Sequence, residues 1–413
     1  MPSLHFQKIL YLSSSAEKLR AQLSGQSLTR QQATPLRDDI STDEITPVAI
    51  LSHYDDKLGD YAHTGLQVEG ESPVGVRTLR TSGFDVLVAG RRYGKGSSRE
   101  HSPAAEKLAG VRLVFAESFE RIYRQNADNI GLFTSTNFDL LAKLERGEAL
   151  SVDELVDGRD ALAAAILRAG GMLKFGQAHL LSTSVVVSKP TQAPQTLFQK
   201  IIARNMLHTP VTAQQPEVGQ GVFVQADWRF IHEYYTGMAA HMLHAALGKP
   251  LKLRAPERIV VFEDHTSYVA TSPAHLRGGL VPHVLAMCQA QRDFAADYGL
   301  RMHRTLTDDE AALDDGSNVA GISHAMMAEH YALPGQVVVG TDSHTPHSGA
   351  LGCVAFGVGT TDMANAFVTG AVRFTMPAVL RIEVSGRLGA GTSAKDLALH
   401  LLVGQLHAHA GPQ

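Results

Sequence analysis

The chain has 413 residues, 44% hydrophobic and 19% charged, the composition of an ordinary globular protein with room for about two or three domains. Its 37 basic and 41 acidic side chains give a formal net charge of −4 without blocks of one sign, which argues against nucleic acid or an anionic membrane as partner. Because there are only two cysteines, no signal peptide and no apolar run of ~20 residues, we expect a cytoplasmic protein without a disulfide framework.

The first residues alternate short strand and helix patterns. Apolar residues between positions 4 and 10 predict an opening strand. Ser14 and Glu17 have the spacing of a capping box, which predicts the start of a short helix that ends near Gly25. The polar stretch 37–47 ends in proline, and its composition alone favours a solvated loop.

A glycine-rich loop then follows an apolar strand pattern within residues 86–96. The glycines let backbone amides approach a carboxylate closely, and the helix expected from Pro103 would favour negative charge at its start. Ser97, Ser98 and Arg99 lie between the loop and that helix. A Walker phosphate loop and a hydrolase nucleophile elbow both fail on spacing, so the stretch predicts an anion site of another kind.

The remainder of the first half is predicted to contain a helix, a strand and a linker. Ser151 and Glu154 form a capping box that predicts one helix running to Gly170. A leucine- and valine-rich run at 180–187 predicts a closing strand, and the polar, proline-punctuated stretch 189–196 predicts a linker.

The second half repeats a pattern of strands that end in polar side chains. A helix is expected from residue 196, and the strand at 260–262 leads to Asp264 and His265. Apolar residues at helical spacing around 280–288 indicate that Cys288 is a core residue.

The most informative stretch is the strand 337–340, which delivers an acid, a hydroxyl and an imidazole at Asp342, Ser343 and His344. Open α/β sheets place ligands at the carboxyl ends of their strands. Residues 355–364 read as a tight turn into a helix whose start can face an anion. The sequence therefore predicts a polar site at this strand end.

Two of these stretches resemble signature segments of the aconitase and isopropylmalate isomerase family. Residues 340–345 are similar to the GDSHT segment of the family's catalytic part, and residues 96–101 to the GSSREH segment of its swivel domain. Residues 39–47 and 111–132 resemble further swivel segments. The resemblance implies an α/β protein with an N-terminal swivelling β/β/α domain at 1–188, a linker at 189–196 and the first portion of a three-layer α/β/α catalytic domain at 197–413.

The resemblance also implies a hydro-lyase that dehydrates and rehydrates a hydroxy di- or tricarboxylate, similar to isopropylmalate or citrate. Ser97 would be the base and Asp264 with His265 would protonate the departing hydroxyl. The implied catalytic residues are Ser97, Asp264, His265, His324, Asp342 and His344. The implied substrate-binding residues are Ser98, Arg99, His232, Ser343 and Thr345.

The family's cofactor is a [4Fe-4S] cluster held by three cysteines downstream of the GDSHT segment. Cys288 and Cys353 lie at none of those positions, and two cysteines cannot supply three ligands. The favoured expectation is that a missing segment or a second subunit carries the cysteines. Two alternatives stay open: a cluster-free dehydratase that uses no metal or one ion on Asp342, His344 and His347, and a non-catalytic carboxylate-binding relative.

Overall fold

The computed structural model describes residues 3–51, 53–96, 100–181, 195–209, 216–266, 284–315, 318 and 321–403. The strands, labelled β1 to β14 in chain order, are Ser3–Leu4, Ile9–Tyr11, Val86–Ala89, Leu113–Ala116, Phe133–Ser135, Leu150–Ser151, Met206–Leu207, Gly221–Gln225, Trp228–His232, Ile259–Phe262, Arg301–His303, Val337–Gly340, Val354–Gly357 and Ala371–Thr375. The helices, labelled α1 to α17, are Ala16–Leu23, Arg30–Ala33, Thr42–Ile45, Thr78–Ser82, His101–Leu108, Arg121–Ile130, Phe138–Glu145, Val152–Val156, Ala161–Ala169, Met172–His179, Leu197–Asn205, Glu233–Leu247, Val284–Asp297, Asp308–Leu313, Ser323–His330, Thr360–Thr369 and Ala394–Val403. Short 3₁₀ turns occur at Val48–Ile50, Asp56–Tyr61, Pro256–Arg258 and Thr345–Leu351. None of the described helices is both long and apolar enough to cross a lipid bilayer.

The first half is built on a parallel sheet in the order β2-β3-β4-β5. Strand β3 is an unbroken apolar run, and all four of its residues are buried. Leu87 and Ala89 belong to one hydrophobic cluster and Val86 and Val88 to another, because successive side chains leave opposite faces of a strand. Both faces are therefore covered, as parallel sheets require.

The second half contains a parallel sheet in the order β11-β10-β9-β12-β13 and a smaller antiparallel sheet in the order β14-β8-β7. Val337 and Val339 of β12 pack into one core cluster, and Val338 packs into another on the opposite face. From β9 the chain adds strands first on one side and then, with β12, on the other. The boundary between β9 and β12 is thus the topological switch point, where open α/β sheets bind ligands.

The two halves share a core. Leu162 and Phe175, on α9 and α10, pack in one hydrophobic cluster with Phe223 and Ala371 of the small antiparallel sheet. Met238 of α12 belongs to the main cluster of the first half. The mixed α/β architecture with parallel sheets agrees with the sequence prediction, and the contacts fix how the halves meet.

Two predicted helices were wrong in detail, one in its start and one in its extent. Ser15, not Ser14, caps α1, because its side chain accepts from the backbone N–H of Lys18. The helix predicted from Ser151 to Gly170 is two helices, α8 and α9. Its capping box at Ser151 is confirmed, but the Asp160 side chain accepts from two backbone N–H groups and starts a second helix there.

Other expectations were corrected by packing. The stretch 37–47 is not a solvated loop, since Ile40 and Ile45 are fully buried and Ser41 caps the short helix α3. The turn expected at 355–364 begins as strand β13, which pairs with β12, before α16 starts at Thr360. The opening strand is two short strands, β1 and β2, in different sheets. Residues 182–187 of the predicted closing strand and 189–194 of the linker lie outside the described residues.

Candidate active site at the edge of the second sheet

Three neighbouring parallel strands end at the same edge of the second sheet, and each delivers polar side chains. His232 ends β9, Asp264 and His265 follow β10, and Asp342 follows β12. The registers of β9 with β10 and with β12 bring these ends together at the switch point. The structure therefore unites residues that lie more than a hundred positions apart in the chain.

Asp264 and His265 form a tightly coupled pair. Their Oδ1 and Nδ1 atoms are 2.5 Å apart, and the backbone N–H of Ser323 donates to the second carboxylate oxygen at 2.7 Å. Burial alone would raise the pKa of Asp264, but the hydrogen bond and charge of His265 outweigh it and lower the pKa to about 2. For His265, burial opposes the charged form, yet its carboxylate partners raise the pKa overall. The pair is thus an imidazole held and polarised by a carboxylate.

Three imidazoles surround the carboxylate of Asp342. Its carboxylate oxygens lie 3.3 Å from His265 Nε2, 3.2 Å from His344 Nδ1 and 3.5 Å from His324 Nδ1. The Asp342 side chain is only 5% exposed, and the backbone N–H of His344 donates to it at 2.5 Å. A buried carboxylate among three imidazoles is suited to hold protons or a cation at this point.

His232 lies behind this cluster rather than at its surface. Its ring stacks on that of His265 with centroids 3.8 Å apart and planes inclined by 9°. Burial, and then the neighbouring charge of His265, lower the pKa of His232 to about 3, so the ring is neutral at ordinary pH. His232 supports His265, and direct contact with a substrate stays a prediction.

Glu233, for which no role was predicted, holds Thr266, the residue directly after His265. Its carboxylate accepts from the backbone N–H of Thr266 at 2.5 Å and from the Thr266 hydroxyl at 2.6 Å. The backbone N–H of Asp264 donates to its other oxygen at 3.3 Å. The position directly after His232 at the start of α12 was the available signal, but only the fold shows that its oxygens meet Thr266 and Asp264.

The predicted residues of the turn after β12 divide into two groups. Ser343 and His344 are exposed, and Ser343 Oγ lies 3.3 Å from His344 Nδ1. Thr345 is buried, and its hydroxyl donates to the backbone carbonyl of Asp342 at 2.6 Å. Thr345 therefore closes the turn, whereas Ser343 faces outward.

A cleft of about 200 Å³ separates this turn from helix α6 of the first half. Asp342 and Ser343 line one wall, and Arg121 and Asn126 line the other. Arg121 belongs to the segment 111–132 that resembles a swivel segment of the family, but no role was predicted for it. Its place at the start of α6, after a strand, was the available signal, but only the packing of the halves shows what it faces.

Ser97, Ser98 and Arg99 lie outside the described residues, so their predicted roles stay predictions. The residue that follows them, Glu100, is fully buried, and its Oε2 accepts from the backbone N–H of Thr361 at 2.8 Å. Thr361 lies two residues after Gly359, which lines the cleft. The chain around the predicted serine loop thus reaches the second half close to the candidate site.

Within the part of the chain that the structure describes, two groups of side chains have atoms close enough together to hold a metal ion. One consists of His232, Glu233, Asp264 and His265, and the other of His324, Asp342 and His344. The cysteines do not add to either group. Cys288 is buried next to the Thr266 hydroxyl, and Cys353 Sγ donates to the carbonyl of Leu333.

Comparison with known proteins identifies relatives of this chain. Residues 199–411 match the model of the aconitase family (aconitate hydratase), and residues 54–137 match the aconitase C-terminal domain. A probable 3-isopropylmalate dehydratase large subunit of Methanothermobacter thermautotrophicus is 33% identical over 208 residues, which are 50% of this chain and 43% of that protein. A probable methanogen homoaconitase large subunit of the same organism is 36% identical over 159 residues, 38% of this chain and 32% of that protein.

A crystal structure of a 3-isopropylmalate dehydratase from Methanocaldococcus jannaschii is 30% identical and covers 34% of this chain and 88% of that chain. Its TM-score is 0.27, which is too low to support a structural argument. The chain spans less than half the length of the large subunits that it matches.

Proposed function

The chain belongs to the aconitase family, and from this we propose that it carries the acid–imidazole part of a hydro-lyase active site that dehydrates and rehydrates a small hydroxy di- or tricarboxylate. The matched relatives are named for isopropylmalate dehydration and as homoaconitase, which supports an isopropylmalate-like or citrate-like substrate class. The observation that carries the proposal is the Asp264–His265–Asp342 chain of contacts beside the cleft between the halves.

Dehydration of such a substrate has two difficulties. The proton to be removed lies next to a carboxylate, so its removal builds further negative charge, and hydroxide is a poor leaving group. Both call for positioned proton donors and positive charge around the reacting carbons. An imidazole held by a buried carboxylate meets the second need, because its pKa is raised in favour of the charged form and its ring is oriented before substrate arrives.

In the proposed reaction His265 donates its Nε2 proton to the departing hydroxyl. Asp264 holds the ring through Nδ1, and the Ser323 backbone N–H holds Asp264 in turn. His324, Asp342 and His344 bind the substrate. His232 backs the His265 ring by stacking, which limits its rotation.

The base and the carboxylate contacts are assigned to the glycine-rich loop. We propose that Ser97 removes the carbon-bound proton and that Ser98 and Arg99 bind a substrate carboxylate. Two described features support this. Glu100, which directly follows these residues in the chain, accepts from Thr361 at the start of α16, and Arg121 lines the cleft opposite Asp342.

The proposed function also implies a division of the chain into domains. We propose a swivel domain at 1–188, a linker at 189–196 and the first portion of the catalytic domain at 197–413. The match of residues 54–137 to the aconitase C-terminal domain supports the first assignment, and that of 199–411 to the family model supports the last. The substrate would then lie between the two.

The family's [4Fe-4S] cluster does not fit the residues present. It needs three cysteines, whereas this chain has two, one buried behind Thr266 and one against Leu333. Cluster ligands would have to come from a second subunit or from a segment beyond these 413 residues.

The test is turnover of isopropylmalate, citrate and isocitrate by the full chain, alone and with any co-purifying subunit, followed by the absorbance of the alkene product. We expect His265→Gln and Asp264→Asn to lower kcat roughly 10²–10⁴-fold, the usual contribution of a general acid. His330→Gln, at an exposed position on α15, should keep wild-type activity. Tight binding of these acids by calorimetry without turnover under any of these conditions would contradict the proposal and indicate a binding protein.

A further inference from the structure

A second concave site, the interhelical groove, lies between the two halves and apart from the polar cluster at the strand ends. Its volume is about 520 Å³, a size that suits a small organic molecule. The first half contributes α5, the end of α6 and the start of α10, and the second half contributes α12. None of the predicted site residues that the structure describes lines this groove.

The lining of the interhelical groove is largely apolar and comes from both halves. Leu108, Ile130 and Leu173 line it from the first half, and Met238 and Met242 line it from the second. Unbranched methionine side chains adapt to apolar ligands of different shapes. The groove is therefore better suited to a ligand with an apolar body than to a bare inorganic ion.

Two lysines, Lys107 on α5 and Lys174 on α10, line the same groove. Lys107 Nζ donates to the carbonyl of Ile130 at the end of α6, which uses one of its three N–H donors. Asp55 and Asp56 also line the groove, but within the described ranges no carboxylate oxygen lies within 4.0 Å of either ammonium group. Both lysines thus have donors left for a ligand.

The two ammonium groups are close enough to repel each other. Loss of solvation, and then the charge of Lys174, lower the pKa of Lys107. An anion between two like charges removes this repulsion and replaces it with attraction to both. The groove therefore offers a place for one negative group beside an apolar surface.

The helices around the interhelical groove also carry parts of the candidate active site. Helix α6 presents Arg121 at its start to the cleft and Ile130 at its end to the groove. Helix α12 begins at Glu233, which holds Thr266, and lines the groove further along with Met242. A ligand in the groove would contact the same helices that hold the cleft.

From these observations we propose that the interhelical groove binds a small carboxylate with an apolar body. The carboxylate lies between Lys107 and Lys174, and the apolar part packs against α12, so that one ligand contacts both halves. The inference goes beyond the proposed function, because it uses none of the residues assigned to the reaction. Binding in the groove can be measured without any turnover.

The experiment is a calorimetric titration of the full-length chain with octanoate, for which we expect one bound molecule per chain. Acetate carries the charge without the apolar body, and octan-1-ol carries the apolar body without the charge. Each of these should bind at least roughly tenfold more weakly than octanoate, because each lacks one of the two interactions.

Variants from both halves locate the site. Lys107→Gln and Lys174→Gln should each weaken octanoate binding roughly three- to tenfold, the effect of removing one partly solvated ion pair. Ala245→Trp, at an exposed position on α12, fills part of the groove from the second half and should also weaken binding. The matched control is Lys200→Gln, which removes an exposed charge on α11 outside the groove and should bind octanoate like the wild type.

All four variants alter exposed side chains, so each should keep the wild-type circular dichroism. Three results would overturn the inference: no saturable octanoate binding, octan-1-ol binding as tight as octanoate, or equal octanoate affinity in the wild type and the Lys107→Gln, Lys174→Gln double variant. Because no measurement here depends on dehydration, failure of the hydro-lyase proposal would leave this result untouched.

Discussion

Asp264 and Glu100 are both buried carboxylates, yet their pKa values move in opposite directions. Burial pushes both upward, but Asp264 also has an imidazole partner, whose hydrogen bond and charge bring its pKa down to about 2. Among the described residues Glu100 accepts from neutral donors, the backbone N–H and hydroxyl of Thr361 and the backbone N–H of Thr360, so burial dominates and raises its pKa to about 7. The partner, rather than the depth of burial, decides which carboxylate is charged.

Glu100→Gln should therefore change how stability depends on pH. A pKa raised from 4.5 to about 7 in the folded state stabilises the protein below pH 4.5, and this contribution is lost as the pH rises to 7. We expect the unfolding free energy of the wild type to fall by roughly 3 kcal/mol relative to the variant between pH 4.5 and 8. Urea unfolding across this range measures it. Parallel curves for the two proteins would show that Glu100 does not titrate in this way, and Glu148→Gln, at an exposed site, should follow the wild type.

Strand β12 shows how one element aims the site. Its three valines are buried on both faces and hold the strand in the middle of the sheet, between β9 and β13. Gly340 ends it, and a Cβ added there would lie 2.2 Å from the ring of Phe230 on β9. Close approach of the two strands at the switch point, directly before Asp342, is possible only because this residue has no side chain.

Gly340→Ala should accordingly destabilise the protein and disturb the site together. Since Phe230 is fully buried and cannot move aside freely, we expect a loss of roughly 1–3 kcal/mol, as for other overpacked cores. Thermal and urea unfolding measure the loss. Gly349→Ala is the matched control, because an added Cβ at Gly349 meets no atom within 4 Å and should cost little. Equal stability of the two variants would contradict the close packing.

At the scale of the whole molecule, polar contacts between the two halves fix the two walls of the cleft relative to each other. Asp362 of α16 accepts from the side-chain amides of Asn129 at 2.7 Å and Gln125 at 3.1 Å, both on α6. Nearby, Arg373 reaches the Asp160 carboxylate at 3.3 Å. Because α6 also presents Arg121 to the cleft, these contacts set the distance between that residue and Asp342.

Asn129→Ala tests this junction. Loss of the shorter hydrogen bond leaves the buried Asp362 with one amide fewer, and we expect a loss of roughly 1–3 kcal/mol in unfolding free energy. Substrate binding should weaken with it, because the cleft wall on α6 loses its anchor. Chemical unfolding and calorimetry with isopropylmalate measure the two effects. Gln177→Ala, exposed on α10, should match the wild type, and an Asn129→Ala protein of unchanged stability would show that the junction rests on the apolar core alone.

The sequence by itself determined the local elements and the chemistry at their ends. The valine run before Gly340 and the Ser151 capping box are encoded by neighbouring residues, so spacing and propensity were enough to predict them. The strand before Asp264 and His265 was predicted in the same way, whereas the pairing of these two side chains was implied by the family resemblance. Local signals were weaker where two competed. Ser15 rather than Ser14 caps its helix, and Asp160 divides the predicted helix in two, because several polar side chains near one helix start can each accept its backbone N–H groups.

Only the tertiary structure decided which side chains meet. Three imidazoles surround Asp342, Thr345 turns inward to close a turn, Arg121 faces the cleft and Glu100 caps the start of α16 in the other half. These contacts follow from strand order and from the packing of the halves, which join residues far apart in the chain. No spacing within the sequence encodes them, because the free energy that selects them comes from burying surface that the separate segments do not share until they fold.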